Sequence, residues 1–249
     1  MEWITSKENK KLKEARKLLT RKGRKQSGHY LIEGFHLLEE AIKAKAEIVQ
    51  VFVDEEKVER LGKAVENVIV VPKVLLTSLS EMSTPQGVVA EVVKSELSDF
   101  EGKKVLVLEN VQDPGNVGTM IRTADAAGFD AVFTTADTAD VYSPKVMRSM
   151  QGSNFHLPLV TDIEASTLFD LLKNQGLELL VTTLSTHSVS YKTIKSEKFA
   201  LVMGNEGAGI SDLAQKKADQ LIHIDMVGQA ESLNVAVAAG ILMFSLTKE

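Results

Sequence analysis

Apolar positions along the chain follow two different rhythms. Over residues 6–22, Leu12, Ala15, Leu18 and Leu19 fall at helical spacing among lysines and arginines, which predicts one basic helix with one buried face. Gly23 and Gly28 then break the pattern. Residues 29–32 predict a short strand, and 35–45 a helix with Phe35, Leu38, Ala41 and Ile42 on one side. The β-branched runs 48–53 and 68–71 predict strands, 73–82 a short helix, and 88–93 a further strand after Gly87.

From 94 to 104 the chain is polar, charged and weakly periodic, which predicts a linker, placed at 96–103. It separates a basic helix (1–22) and a first domain (23–95) from a second domain (104–249). There the alternation is stronger, with strands expected at 104–109, 130–134, 178–184, 199–203 and 220–224. Helices are expected at 116–127, from Pro144 with Ser143 as N-cap, at 164–174, from Ser211, and at 232–246. Strands alternating with helices predict an α/β fold whose mostly parallel sheet is covered on both faces. The last helix is apolar nearly all round and small-sided, so it is expected to be buried.

Composition narrows the class. Apolar residues make up 44% and charged residues 25%, as in ordered globular proteins. No apolar run reaches the ~20 residues of a membrane helix, and the first residues lack the apolar core of a secretory signal. With no cysteine, disulfides, thiolate catalysis and cysteine-bound metals are excluded. A cytoplasmic protein is the expectation.

Net charge is −5, yet residues 1–30 hold ten Lys/Arg against three Glu, a surplus of seven that leaves −12 on the remainder. Lys10, Lys11 and Arg24 belong to this basic arm, which can attract phosphate or simply be a solvated helix face. Lys145 and Arg148, three apart on one helix, are further candidates for phosphate contact. The five histidines show no H-x-x-x-H spacing, and no metal site is expected.

In parallel α/β sheets the loops leaving the C-terminal strand ends form the binding crevice. Three loops qualify: 110–118, 204–210 and 225–232. The first, Asn110-Val-Gln-Asp-Pro-Gly-Asn-Val-Gly118, is neither a P-loop nor a dinucleotide fingerprint, and Arg122 follows in the next helix, where it can also be an ordinary surface partner of Asp125. The second, Gly204-Asn-Glu-Gly-Ala-Gly209, places Glu206 in a glycine-rich turn that can face a ligand or be a flexible exposed loop. The third carries Ser232 and Asn234, either of which can cap the last helix.

Taken in order, Asn116-x-Gly118-x-x-x-Arg122, Gly204-Asn-Glu-Gly207 and Glu231-Ser-Leu-Asn-Val235 closely resemble the three successive motifs of the SpoU (TrmH-like) branch of the SPOUT methyltransferases. So does the intervening Pro144-Lys-x-x-Arg148 … Gly152-Ser153-x-Phe155 segment. Residues 28–95 more weakly resemble the L30e-like RNA-binding domain that often precedes the catalytic one, through Gly28-x-Tyr-x-x-Glu-Gly34 and Thr84-Pro-Gln-Gly87. Motif 3 departs only in Ala236, where some relatives carry serine.

The resemblance implies an α/β catalytic domain with a C-terminal trefoil knot, a homodimer, and S-adenosylmethionine as cofactor. It implies ribose 2′-O-methylation of a structured RNA, 23S ribosomal RNA ahead of transfer RNA. It assigns catalysis to Arg122, Asn116, Glu206, Ser232 and Asn234, and the cofactor site to Gly204, Ile224, Leu233, Met226 and Thr182. Two other readings remain open: a non-enzymatic RNA-binding protein with this fold, and a small-molecule α/β enzyme using a nucleotide cofactor.

Overall fold

The computed structural model describes residues 1–62, 65–82, 84–95 and 100–247. Of the expected linker, 96–99 therefore lie outside the described residues. The chain divides into two compact units, Met1–Ser95 with Tyr142–Phe155, and Glu96–Val141 with His156–Glu249.

The first unit contains β1 (Glu2–Trp3), α1 (Lys10–Lys17), α2 (Arg21–Ser27), β2 (His29–Glu33), α3 (Phe35–Lys43), β3 (Ile48–Asp54), β4 (Val68–Val71), α4 (Lys73–Thr77) and β5 (Val88–Val93). Its sheet runs β1-β4-β3-β5-β2, with β5 antiparallel to both neighbours. Leu12 and Ala15 of α1, with Leu18 just beyond, close over Ile69, Phe52 and Val89.

The single basic helix expected over 6–22 is instead two. Asn9 caps α1 by accepting from Lys11 N at 2.8 Å, and Thr20 starts α2 afresh by accepting from Gly23 N at 3.1 Å. Gly23 lies inside α2, where a Cβ would stand 2.0 Å from the Lys17 carbonyl oxygen. Only glycine lets the second helix begin against the end of the first. Gly28, at φ 73°, closes α2 in the left-handed conformation.

The second unit contains β6 (Lys104–Leu108), α5 (Pro114–Ala126), β7 (Ala131–Thr135), β8 (Leu159–Ile163), α7 (Ala165–Asn174), β9 (Glu178–Thr182), β10 (Val189–Ser190), β11 (Phe199–Met203), α8 (Asp212–Lys217), β12 (Gln220–His223) and α9 (Val235–Leu246). Helix α6 (Pro144–Met150) falls between β7 and β8 in the chain but is grouped with the first unit. All seven strands are parallel, in the order β10-β12-β9-β11-β6-β7-β8. The fully buried β7 and β11, with β6 buried beyond Lys104, carry the core, with Phe133, Phe169 and Leu179 packed between sheet and helices.

The structure corrects two details. Ser143 precedes α6 but its side chain makes no capping hydrogen bond, and its hydroxyl is buried without a partner among the described residues. Helix α9 is only half buried: Ala236, Ala239, Leu242 and Met243 face inward, while Val237, Ile241 and Phe244 remain exposed.

Candidate functional site

Strands β6 and β11 pair through to their last residues, Leu108 opposite Met203, so the loops that follow leave the sheet side by side. The chain then turns opposite ways: β7 lies on one side of β6, while β9 and β12 lie beyond β11. Such a switch point opens a crevice at the C-terminal strand ends.

A cavity of about 660 Å³ lies in this unit, within the size range of small-molecule and cofactor sites. Thr182, Gly204, Ile224, Met226 and Leu233 all line it, as do Glu206, Ser232 and Asn234. Asn116 and Arg122 are not among its lining residues. The loop after β9, Thr183 to Ser185, also lines the cavity, although it was not one of the three loops singled out from the sequence. The strand-end rule applies to every strand of a parallel sheet and would have found it.

The glycine-rich loop is tightly closed. Asn205 and Gly209 exchange backbone hydrogen bonds at 2.9 and 3.0 Å, and Asn205 Oδ1 accepts from Gly207 N and Ala208 N, both at 2.9 Å. Those amides are therefore engaged within the turn. Gly204 is required by close approach, since a Cβ there would lie 2.6 Å from the Gly209 carbonyl carbon.

Glu206 joins this loop to the one after β6. Its Oε2 accepts from Gln112 N at 3.1 Å, and its Oε1 from Asp113 N at 3.0 Å and Asn116 Nδ2 at 3.1 Å. Partial burial pushes the Glu206 carboxyl up, but the donors of Gln112, Asn116, Asp113 and its own backbone outweigh it and hold the group below the usual carboxylate range. Asn116 Oδ1 in turn accepts from Asn234 Nδ2 at 3.1 Å. Asn234 also caps α9, accepting from Ala236 N at 2.9 Å and Val237 N at 3.2 Å. The three sequence motifs are thus laced into one structure.

The other candidates fall as follows. Arg122 is exposed on α5 and makes no hydrogen bond or ion pair among the described residues; Asp125 meets His156 instead, at 3.1 Å. Ser232 is exposed, without a hydrogen bond among the described residues. The Thr182 hydroxyl donates to Val202 O at 2.9 Å. Lys145 and Arg148 sit on α6 in the first unit, and one Arg148 guanidinium nitrogen is buried without a hydrogen-bond partner among the described residues. Lys10 is exposed, and exposed Lys11 pairs with Glu2 at 2.5 Å. Arg24 has no place on the basic surface. It is 3% exposed and donates to Leu18 O at 2.6 Å, closing the end of α1.

The cavity's chemistry limits its ligand. Among the described residues its lining holds the Glu206 carboxylate, the His223 imidazole and apolar side chains such as Ile222, Ile224 and Leu242, but neither lysine nor arginine. A dinucleotide pyrophosphate would find neither lysine nor arginine to pair with there, whereas a cationic ligand would find a carboxylate. Fold and site together define an α/β domain with a cofactor-sized cavity, walled in part by the Glu206 carboxylate, at the C-terminal ends of its parallel strands.

The SpoU rRNA Methylase family model matches residues 103–244, and the MRM3-like substrate binding domain matches residues 9–90. The chain belongs to the SpoU rRNA methylase family. It is 41% identical to the 23S rRNA (guanosine(2553)-2′-O)-methyltransferase RlmP of Bacillus subtilis (strain 168), over 99% of both chains. The crystal structure of the AdoMet-bound rRNA methyltransferase from Sinorhizobium meliloti superposes with a TM-score of 0.87 at 30% identity, covering 98% of this chain and 97% of that one. The SpoU methyltransferase AviRb from Streptomyces viridochromogenes, in complex with AdoMet, superposes at 0.85 with 26% identity, covering 96% and 97%.

Proposed function

We propose that this protein transfers a methyl group from S-adenosylmethionine to a ribose 2′-hydroxyl of 23S ribosomal RNA, acting in the cytoplasm as a homodimer. The observation that carries the reading is the Glu206–Asn116–Asn234 linkage at the rim of a cavity lined without lysine or arginine. The full-length similarity to a 23S rRNA 2′-O-methyltransferase favours ribosomal over transfer RNA.

The cavity suits this cofactor. Thr182, Gly204, Ile224, Met226 and Leu233 would hold it by apolar contact and close backbone approach, and Glu206 supplies a carboxylate for its positive charge. When bound, S-adenosylmethionine supplies an electrophilic methyl on a sulfonium, so the chain itself must position the ribose and ease loss of the hydroxyl proton. Glu206 is a poor base, because its oxygens already accept three donors and its carboxyl is held low. Arg122, exposed and without a hydrogen bond or ion pair among the described residues, is the residue for the acceptor. A guanidinium stays protonated in proteins, so Arg122 acts by charge, binding a neighbouring phosphate and stabilising the oxyanion as it develops. Asn116 and Asn234 hold the motif loops, and the free hydroxyl of Ser232 is available to the nucleotide.

The first unit would bind RNA, with Lys10 on its exposed basic surface and Lys145 and Arg148 contributing from α6. Val237, Ile241 and Phe244 follow one another at i, i+4 and i+7 on α9, an apolar stripe suited to a second copy of the chain. The family's trefoil knot would run through the loops after β9, β11 and β12, which share one cavity. Calorimetric titration with S-adenosylmethionine tests the reading. Saturable binding that Gly204→Ala abolishes supports it, and no binding by the folded wild-type chain overturns it.

A further inference from the structure

We infer that Glu109 is a positioning residue for the 204–210 loop and through it for the cofactor cavity. The carboxylate is 1% exposed, just beyond the end of β6, and outside the chemistry proposed above. Its Oε1 accepts from Ser211 Oγ at 2.6 Å and its Oε2 from Ser211 N at 2.9 Å. The backbone N–H of the same residue donates to Met203 O at 2.9 Å. Met203 immediately precedes the loop and Ser211 immediately follows it, so one residue grips both ends of the segment that carries Gly204 and Glu206.

Burying a carboxylate is costly, and a well-packed apolar side chain often serves stability as well or better. What a carboxylate offers here is directional: two acceptor oxygens take both donors of one residue. Ser211 is held doubly, because its Oγ also caps α8 by accepting from Ala214 N at 3.0 Å. The next residue continues the grip, as Asn110 O accepts from Asn205 Nδ2 at 2.8 Å inside the loop. Asn110 itself takes a left-handed φ of 56°, a conformation asparagine tolerates better than other residues with a side chain. The ladder Glu109–Ser211, Asn110–Asn205, Gln112–Glu206 therefore sets the loop against the sheet before any ligand arrives.

The inference rests on the cofactor reading only for its functional consequence. The test measures amide hydrogen exchange without cofactor, together with cofactor affinity and thermal midpoint, in Glu109→Leu, Ser211→Ala and Ser211→Thr. Glu109→Leu and Ser211→Ala are expected to speed exchange across 205–211 by about tenfold while β6 and β11 keep their protection, and to weaken S-adenosylmethionine binding by about tenfold or more. Ser211→Thr, which keeps the hydroxyl, is expected to behave as wild type. Unchanged exchange in the loop, or an equal rise across the whole sheet, would overturn the inference. If Glu109→Leu fails to fold, the Ser211 pair decides. Should wild type bind no S-adenosylmethionine, the cofactor reading falls, and loop exchange still judges Glu109.

Discussion

Asn116 and Glu206, ninety residues apart in the chain, meet at 3.1 Å, with the amide nitrogen of one donating to the carboxylate of the other. Because the oxygen of that same amide accepts from Asn234, its orientation is fixed and all three motifs depend on it. Asn116→Asp would set a second carboxylate against Glu206, whereas Asn116→Ala only removes the bridge. The aspartate variant is therefore expected to weaken cofactor binding more than the alanine variant, by about tenfold or more against wild type. Parallel titrations check the order, and equal effects of the two would remove Asn116 from the linkage.

The pH dependence of this linkage follows from Glu206. Its folded carboxyl is held below the ordinary value of 4.5, mainly because backbone and amide donors outweigh burial. A depressed carboxyl contributes stability that is fully present above the ordinary value and is lost as pH falls through the lower, folded one. Because the carboxylate that the cofactor meets stays ionised down to that lower value, cofactor affinity is expected to show no Glu206-dependent change from neutrality to the ordinary carboxylate range, and to fall only as pH drops through the depressed value below it. In Glu206→Gln the acid-side fall should disappear along with much of the affinity.

Arg122 separates charge from geometry. If its charge is the active property, Arg122→Lys keeps activity within about tenfold of wild type, while Arg122→Ala loses about a hundredfold or more at unchanged cofactor affinity. Single-turnover kinetics with saturating RNA make the comparison. An inactive lysine variant that still binds RNA would show that the planar fork is what matters.

The exposed stripe of α9 predicts an assembly. Replacing Val237 and Phe244 with glutamate places charge on the apolar surface, and sedimentation is expected to change from dimer to monomer. A wild-type chain that sediments as a monomer across micromolar concentrations would contradict the proposed homodimer.

Much of this was legible in the sequence, for identifiable reasons. The long buried strands of the second unit announce themselves as β-branched and apolar runs, and α5, α7 and α9 as helical patterns with caps or breaks at their ends. The short edge strands β1 and β10 were not legible, since two residues carry no period. Nor was β8, whose residues are mostly half exposed. The break between α1 and α2 was hidden because Leu18 and Leu19 prolong the helical spacing; Thr20 and Gly23 decide it through local capping. At the site, motif order identified the family, but the lacing did not show. Nothing in the spacing reveals that Glu206 would bind the loop after β6, or that Glu109 would reach Ser211.

The most direct measurement is transfer of labelled methyl from S-adenosylmethionine to unmodified 23S ribosomal RNA and, separately, to transfer RNA, with mass spectrometry of the product nucleosides. The expected result is one 2′-O-methylnucleoside in 23S ribosomal RNA, absent from the transfer RNA and lost with Arg122→Ala. A methyl group on a base, or on transfer RNA alone, would contradict the proposed function.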